Sequence, residues 1–402
     1  MMLKEPFTHA YNVIDALIQQ GFQCYFVGGA VRDLLSGKQV GDIDLATDAT
    51  PGEMQLIFER TVPIGIEHGT ILVLDGEHSF EITTFRTEGM YDDFRHPSHV
   101  EFVRDIIEDL SRRDFTINAI AMDRNGELID PFEGKKDLDN KIIQTVGNAM
   151  ERFTEDPLRM LRGIRFSSQL GFDIDTYTLD AIKGLNPLLG KVSVERVSVE
   201  LIKMFQGQSV KNGLSYLNNS NLWLALPVFM ESETLIHDVQ QKVNRPINSA
   251  GTIFAFLHLL QSNFSLKMWA KSYKLSNSIK REASLQIELY NLYIKDGLSS
   301  YVLYETKAVH LHPLLSLIEL IEGRTYDFNE IQQQYYSLPI KSRDELMITG
   351  KDLIDWFPGA KRGKWVGDYM DRIENSILQN QLSNNKEDIR KQVKIWSKQE
   401  SN

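Results

Sequence analysis

A single cysteine, Cys24, stands in 402 residues. It excludes an internal disulfide and any zinc site built from cysteine thiolates, and it fits a reduced, cytoplasmic setting. No stretch approaches the roughly 20 uninterrupted apolar residues that a membrane span needs, so no membrane partner is expected. The opening Met1-Met2-Leu3-Lys4-Glu5-Pro6 lacks the apolar core and cleavage site of a signal peptide. Positive charge is scarce as well: Lys and Arg number 44 against 55 Asp and Glu, a net charge of −11. That excludes a protein that coats nucleic acid by bulk charge. An RNA-binding role therefore requires its basic residues to be clustered. There is no fixed-period repeat and no long low-complexity linker. What remains is ordinary globular composition, 42% hydrophobic and 25% charged, at a length that suggests roughly two to four domains.

The first 150 residues read as mixed α/β. Val13, Leu17 and Ile18 have helical spacing, with Gly21 as a stop. Gln23-Cys24-Tyr25-Phe26-Val27 is a short apolar run that ends in Gly28-Gly29, the pattern of strand, tight turn and helix. Thr50-Pro51-Gly52-Glu53 is a helix start with Pro51 in the first turn. Residues 70–74 and 80–85 are β-rich, and Asp75-Gly76 between them is a hairpin signal. From about residue 150 helical periodicity takes over: Leu158, Leu161 and Ile164, then Val194, Val197, Leu201 and Phe205. The expected fold class is an α/β head with a mixed sheet followed by an all-helical remainder.

Gly28-Gly29-Ala30-Val31-Arg32-Asp33 joins that strand to its helix. Glycines let a backbone approach a phosphate, helix N-terminal amides point at it, and Arg32 adds charge-assisted bonds. Asp42-Ile43-Asp44 then places two carboxylates on one face of an expected strand, with Ile43 and Leu45 turned to the core. Adjacent carboxylates resist joint ionisation unless a cation neutralises them, and oxygen ligands suit Mg²⁺. A two-metal site activates an attacking hydroxyl and stabilises a leaving pyrophosphate. This loop with its Asp-x-Asp resembles the signature of the DNA polymerase β-like nucleotidyltransferases. Glu81, on a later strand, resembles the third carboxylate of such sites.

Two further segments bear on substrate. In Ser111-Arg112-Arg113-Asp114-Phe115-Thr116-Ile117-Asn118-Ala119 the arginines suit a triphosphate or ribose. Asp156, Arg159 and Arg162 then form a polar stripe on a helix, with Arg165 further around and Thr154 as the expected N-cap. An Asp accepts from an exocyclic amine and an Arg donates to a ring nitrogen or carbonyl. Together they match the pairing edges of cytosine and adenine. Uracil and guanine present a carbonyl where the Asp needs a donor, and an unpaired buried acceptor costs about 1–3 kcal/mol. Such a pair rejects UTP and GTP, so protein side chains stand in for a template.

Residues 28–33, 42–47, 111–121 and 155–166 together resemble class II tRNA nucleotidyltransferases, the CCA-adding enzymes, in their bacterial form. Glu195-Arg196-Val197-Ser198-Val199-Glu200-Leu201 is similar to a neck-helix motif that supports the nucleotide pocket in that family. Beyond residue 210 the match is mainly one of length and helicity. The resemblance implies a seahorse-like molecule: catalytic head at 1–145, neck at 146–210, helical body at 211–300 and a tRNA-binding tail at 301–402. It implies that Asp42 and Asp44 hold Mg²⁺, that Gly29, Arg32 and Arg113 contact the incoming nucleotide, that Asp156 and Arg159 read its base, and that Arg162 and Arg165 complete the pocket. The implied substrates are tRNA, CTP and ATP.

Bacterial poly(A) polymerases share the head motifs, but His68-Gly69-Thr70-Ile71 lacks the basic run expected of them, and the chain lacks a basic C-terminal tail. CC-adding enzymes have a shortened loop before the Arg112-Arg113-Asp114 motif. Here residues 86–98 look full length and are a candidate for the switch to ATP, although His96 stands where many relatives carry Arg. Outside the enzymes, the alternative is an RNA-binding module with an inactive head. For RNA, two basic clusters stand out: Lys267, Lys271, Lys274, Lys280 and Arg281, interleaved with Trp269 and Tyr273; and the Gly/Lys loop carrying Lys361, Arg362 and Lys364. His310-Leu311-His312 lacks metal partners in sequence and reads as structural. The oligomeric state is left open, a homodimer included.

Overall fold

The computed structural model describes residues 3–89, 100–359 and 363–400. The chain separates into two compact units, Met1–Pro246 with Lys271–Lys274, and Ile247–Ala270 with Leu275–Asn402. The first unit begins with α1 (Tyr11–Gln19), β1 (Cys24–Val27), α2 (Gly29–Leu35), β2 (Asp44–Thr47) and α3 (Pro51–Ile57). Then come β3 (Thr61–Gly65), β4 (Thr70–Asp75), β5 (His78–Thr84), β6 (Arg86–Glu88), β7 (Val100–Phe102), α4 (Ile106–Ser111), β8 (Ala121–Met122) and β9 (Leu128–Ile129). Seven strands form one mixed sheet in the order β3-β4-β5-β2-β1-β8-β9. Only β2 and β5 run parallel, which sets Asp44 directly opposite Glu81. Alternation orients them: Ile43, Leu45, Phe80 and Ile82 are buried, so the carboxylates between them are left outside the core. The turn into α3 follows the expected chemistry, with Thr50 and Glu53 forming a reciprocal capping box on either side of Pro51.

The rest of this unit is mainly helical: α5 (Gly134–Asn140), α6 (Ala149–Glu155), α7 (Leu158–Leu170), α8 (Thr176–Leu185), α9 (Val194–Phe205), α10 (Val210–Asn219) and α11 (Glu233–Lys242). Helix α7 packs against α9 and α10, with Leu158, Leu161 and Ile164 buried as expected. One expectation is corrected. Thr154 does not cap α7; it lies inside α6, where its hydroxyl donates to the Met150 carbonyl. Pro157 is the cause. It lacks an N–H and pushes the preceding residue out of the helical region, so Asp156 is extended at φ −134°, ψ 96° and the two helices break there. Ser111 is the last residue of α4.

The second unit holds α12 (Ala250–Leu260), α14 (Asn277–Asp296), α15 (Ser300–Glu322), α16 (Phe328–Tyr336), α17 (Gly350–Trp356), α18 (Trp365–Leu378) and α19 (Lys386–Glu400); a further helix, α13 (Leu266–Ser272), spans the boundary. Trp269 and Tyr273 are 0% and 1% exposed. They are core residues, not stacking platforms among the neighbouring lysines. Among the described residues no helix is long and apolar enough to cross a membrane.

Candidate active site

In the first unit the open face of the sheet and the start of α7 line a cavity of about 670 Å³. Its wall holds Gly28, Gly29, Asp44, Glu81, Asp114, Asp156 and the arginines at 32, 86, 112, 113, 159, 162, 165 and 196. Gly28 shapes the floor. Its φ of +68° with ψ −133° is a conformation that essentially only glycine adopts. A Cβ there would stand 3.5 Å from Arg113 Nη1 and 3.8 Å from Asp44 Oδ2. The backbone therefore passes close beneath both a cation and a carboxylate. The next residue, Gly29, opens α2 with its first amides.

The arginines are held from behind by carboxylates and amides. Asp109, 1% exposed, accepts from Arg112 at 2.6 Å and Arg113 at 3.0 Å. Burial pushes its carboxyl up, yet the two guanidinium groups and their hydrogen bonds hold it below the usual range. Arg32 donates to Asp33 at 2.9 Å and to the Asn118 side-chain carbonyl at 2.8 Å. Arg162 donates through Nε and Nη2 to Asp114 Oδ2 at 2.8 and 2.6 Å. Asp114 also accepts from Asn118 and from the Phe115 amide. Burial raises that carboxyl, but Arg162 and Asn118 outweigh it and hold it far below the usual range. Arg165 pairs with Glu200 at 2.9 Å; burial, which Glu200 only partly offsets, lowers its guanidinium to about 10. Phe166 supports the group, its ring 3.9 Å from the Arg165 guanidinium and 5.3 Å from that of Arg32. Gly163 lets α7 approach the segment that carries Phe115, since a Cβ there would meet the Phe115 ring at 3.1 Å.

Asp156 and Arg159 lie on the same wall. Asp156 accepts from the Leu158 amide at 3.1 Å through Oδ1 and from Arg196 at 2.7 Å through Oδ2. Arg159, 7% exposed, donates to Glu155 and to the Arg112 carbonyl, each at 3.1 Å. A carboxylate has about four lone-pair positions and a guanidinium five N–H donors, so both groups retain capacity for a ligand.

Three family models match this chain: the poly A polymerase head domain over residues 24–144, the probable RNA and SrmB-binding site of polymerase A over 171–231, and a tRNA nucleotidyltransferase domain 2 over 246–393. The chain is 41% identical to a CCA-adding enzyme of Oceanobacillus iheyensis, over 98% of each chain. The chain belongs to the CCA-adding enzyme family. It is also 39% identical to a CCA-adding enzyme of a Geobacillus species, over 96% of each. The crystal structure of the Bacillus stearothermophilus CCA-adding enzyme in complex with CTP matches at a TM-score of 0.85 and 33% identity, over 99% of each chain.

CCA-adding enzymes generally need a divalent metal, and the carboxylates here suit one. Asp44 is raised by burial, by Glu81 opposite and by Asp42, against which Arg113 pulls it down. A bound cation removes this conflict. Asp42 itself is exposed and lies two residues before β2 starts, not within it. Among the described residues no cluster of three or more carboxylate, His or Cys ligands is in place. Mg²⁺ in nucleotide sites usually needs only one or two carboxylates plus phosphate oxygens.

The cavity thus gathers Gly29, Arg32, Arg113, Asp44, Glu81, Asp156, Arg159, Arg162 and Arg165. Asp42 enters only through its charge on Asp44. In the second unit Lys364 is exposed at the start of α18. Lys361, Arg362 and residues 90–98 of the loop at 86–98 lie outside the described residues. Sequence reasoning missed Asp109, gave Asn118 no role and did not name Arg162 as the partner of Asp114. The Glu195–Leu201 motif pointed to Arg196 and Glu200, but not to which side chain each one holds.

Proposed function

We propose that this chain adds C, C and A to the 3′ end of tRNA, from CTP and ATP, without a nucleic-acid template and with release of pyrophosphate. The observation that carries the reading is the meeting of the Asp44/Glu81 carboxylate pair and the Asp156/Arg159 pair in one cavity. The likeness to a CCA-adding enzyme crystallised with CTP supports it.

Asp42 and Asp44 hold Mg²⁺, with Glu81 as the third carboxylate. The metal supplies Lewis-acid charge for nucleotidyl transfer. The RNA 3′ hydroxyl gives up its proton to solvent and its oxygen bonds to the α-phosphorus of the nucleotide, the bond from that phosphorus to the bridging oxygen breaks, and pyrophosphate leaves with the electron pair. Arg32, Arg113 and the Gly28-Gly29 backbone take the triphosphate and hold it in line. Asp156 accepts from the exocyclic amine of cytosine or adenine, and Arg159 donates to the neighbouring ring acceptor. Arg162 and Arg165, fixed by Asp114 and Glu200, close the base side.

In this reading residues 1–145 are the catalytic head, 146–210 the neck, 211–300 the body and 301–402 a tail that contacts tRNA, with Lys361, Arg362 and Lys364 on phosphates. A cytoplasmic location follows from the substrate. The test is extension of tRNA lacking its 3′ end, with each nucleotide supplied singly and Mg²⁺ present. Two C residues and one A are expected. Long poly(A) on arbitrary RNA, or arrest after CC, would replace this reading with the polymerase or the CC-adding form. Asp42→Ala should abolish incorporation and leave tRNA binding intact; retained turnover would remove the metal role.

A further inference from the structure

Helix α18 carries two special faces. Met370, Ile373, Ile377 and Leu378 are buried and form its core face. On a different face, Trp365, Asp368, Tyr369 and Arg372 line a hollow of about 350 Å³. They follow at i, i+3, i+4 and i+7, the spacing of one continuous stripe. Such a stripe of large side chains normally faces a core. Here Asp368 and Arg372 are exposed and the two rings half-exposed.

The hollow has an ordered floor and a right-angled wall. Trp365 and Tyr369 meet edge to face at 5.9 Å and 85°, so a flat ring laid on one meets the edge of the other. Phe357 stands edge-on to Trp365 at 6.0 Å. Beneath, Trp396 of α19 is 7% exposed and supports both Tyr369 at 6.3 Å and the Arg372 guanidinium at 4.2 Å. Lys364 adds a second exposed cation at the helix start.

We infer that this stripe is a stacking subsite for one unpaired nucleobase of the RNA substrate. Three features select that occupant. The volume lies at the lower end for small-ligand sites, enough for a nucleoside and too little for a folded segment of protein. Aromatic faces flanked by cations are how single-stranded nucleic acid is held, rings on bases and charges on phosphates. Asp368 adds an acceptor for an exocyclic amine, which favours adenine, cytosine or guanine over uracil. A chain of net charge −11 gains most from a contact of this kind, because stacking does not depend on bulk charge.

The inference rests on tRNA being the substrate as proposed above. The test uses the full chain and a tRNA lacking its 3′ end. Trp365→Ala and Tyr369→Ala should weaken tRNA binding roughly 5- to 150-fold, the range for loss of one stacked base. Trp365→Phe and Tyr369→Phe should recover most of it. KM for CTP and kcat at saturating tRNA should stay at wild-type values. The dependence of affinity on salt should keep its slope in the alanine variants and become shallower in Arg372→Gln, which removes a phosphate contact. Folded alanine variants that bind tRNA as the wild type does would overturn the subsite. So would a salt-independent dimer of the wild type that Trp365→Ala dissolves, because the stripe would then be covered by a second copy. Should the alanine variants fail to fold, ultraviolet crosslinking of the wild-type complex decides: a nucleotide adduct on Trp365 or Tyr369 supports the subsite, and adducts only elsewhere refute it. A wild type that neither binds tRNA nor incorporates CTP would instead refute the proposed function.

Discussion

Arg196 offers the sharpest probe of how the base is read. Its Nη2 donates to Asp156 Oδ2 at 2.7 Å, while the Leu158 amide holds Oδ1 at 3.1 Å. Replacing Arg196 by Met keeps much of the aliphatic bulk and removes one of these two anchors. Asp156 stays near its place through Leu158 but is no longer aimed. A hydrogen bond to a charged group is worth about 1.5–3 kcal/mol net. The Arg196 side chain is 24% exposed and that of Asp156 14%, so solvent screening puts this pair at the low end, about 1.5 kcal/mol. That corresponds to about a tenfold effect. In the proposed reading CTP uses the Asp156 acceptor and UTP cannot, so the loss is expected to fall on CTP alone. Single-turnover incorporation of CTP and UTP into tRNA lacking its 3′ end should show kcat/KM for CTP about tenfold lower and UTP unchanged, so that discrimination shrinks by the same factor. An Arg196→Met protein with normal thermal stability and a wild-type CTP/UTP ratio would refute the view that this ion pair aims the reader.

Two further outcomes follow from the same site. Gly28→Ala forces a side chain into φ +68°, ψ −133°, a strain of about 1–3 kcal/mol, with its Cβ against Arg113 and Asp44; urea unfolding should show that loss and nucleotide KM should rise, whereas an unchanged midpoint would remove the strain argument. Asp114 is held far below the usual carboxyl range by Arg162 and Asn118 against the effect of burial. Its stabilising contribution is complete above the unfolded carboxyl pKa of about 4 and is lost as pH falls below it. Melting temperature followed downward from pH 5 should therefore fall less steeply for Asp114→Asn than for the wild type, and parallel curves would assign acid lability elsewhere.

The parts of the site that are contiguous were legible in the sequence. Gly28-Gly29 and Asp44 follow the turn and strand rules directly, whereas the strand expected from Asp42 begins only at Asp44 and leaves Asp42 exposed ahead of it. The partners that hold the arginines were not. Asp114 and Arg162 lie 48 residues apart, and nothing in either neighbourhood names the other. The facing of Glu81 and Asp44 depends on the parallel pairing of β2 with β5, a non-local register that alternation alone does not reveal. Thr154 misled for a local reason: it precedes a proline at a spacing that resembles a cap, while Asn148 already caps the preceding helix and Pro157 sets the break. The aromatic–basic segment at 267–281 misled because spacing does not distinguish a ring that stacks on a base from one that fills a core, as Trp269 and Tyr273 do.

The carboxylates behind the arginine wall also bear on repeated use. Rotamer freedom is lost when long side chains are ordered, about 1.5–2 kcal/mol for each arginine. In this fold most of that loss occurs once, when the chain folds and Asp109, Asp114, Glu155 and Glu200 take hold of their guanidinium groups. Successive nucleotides then meet a surface that has little left to order. A wall so fixed cannot itself keep count of additions. Any rule about which nucleotide comes next has to be set beside the wall, by the growing RNA end or by a segment such as residues 86–98.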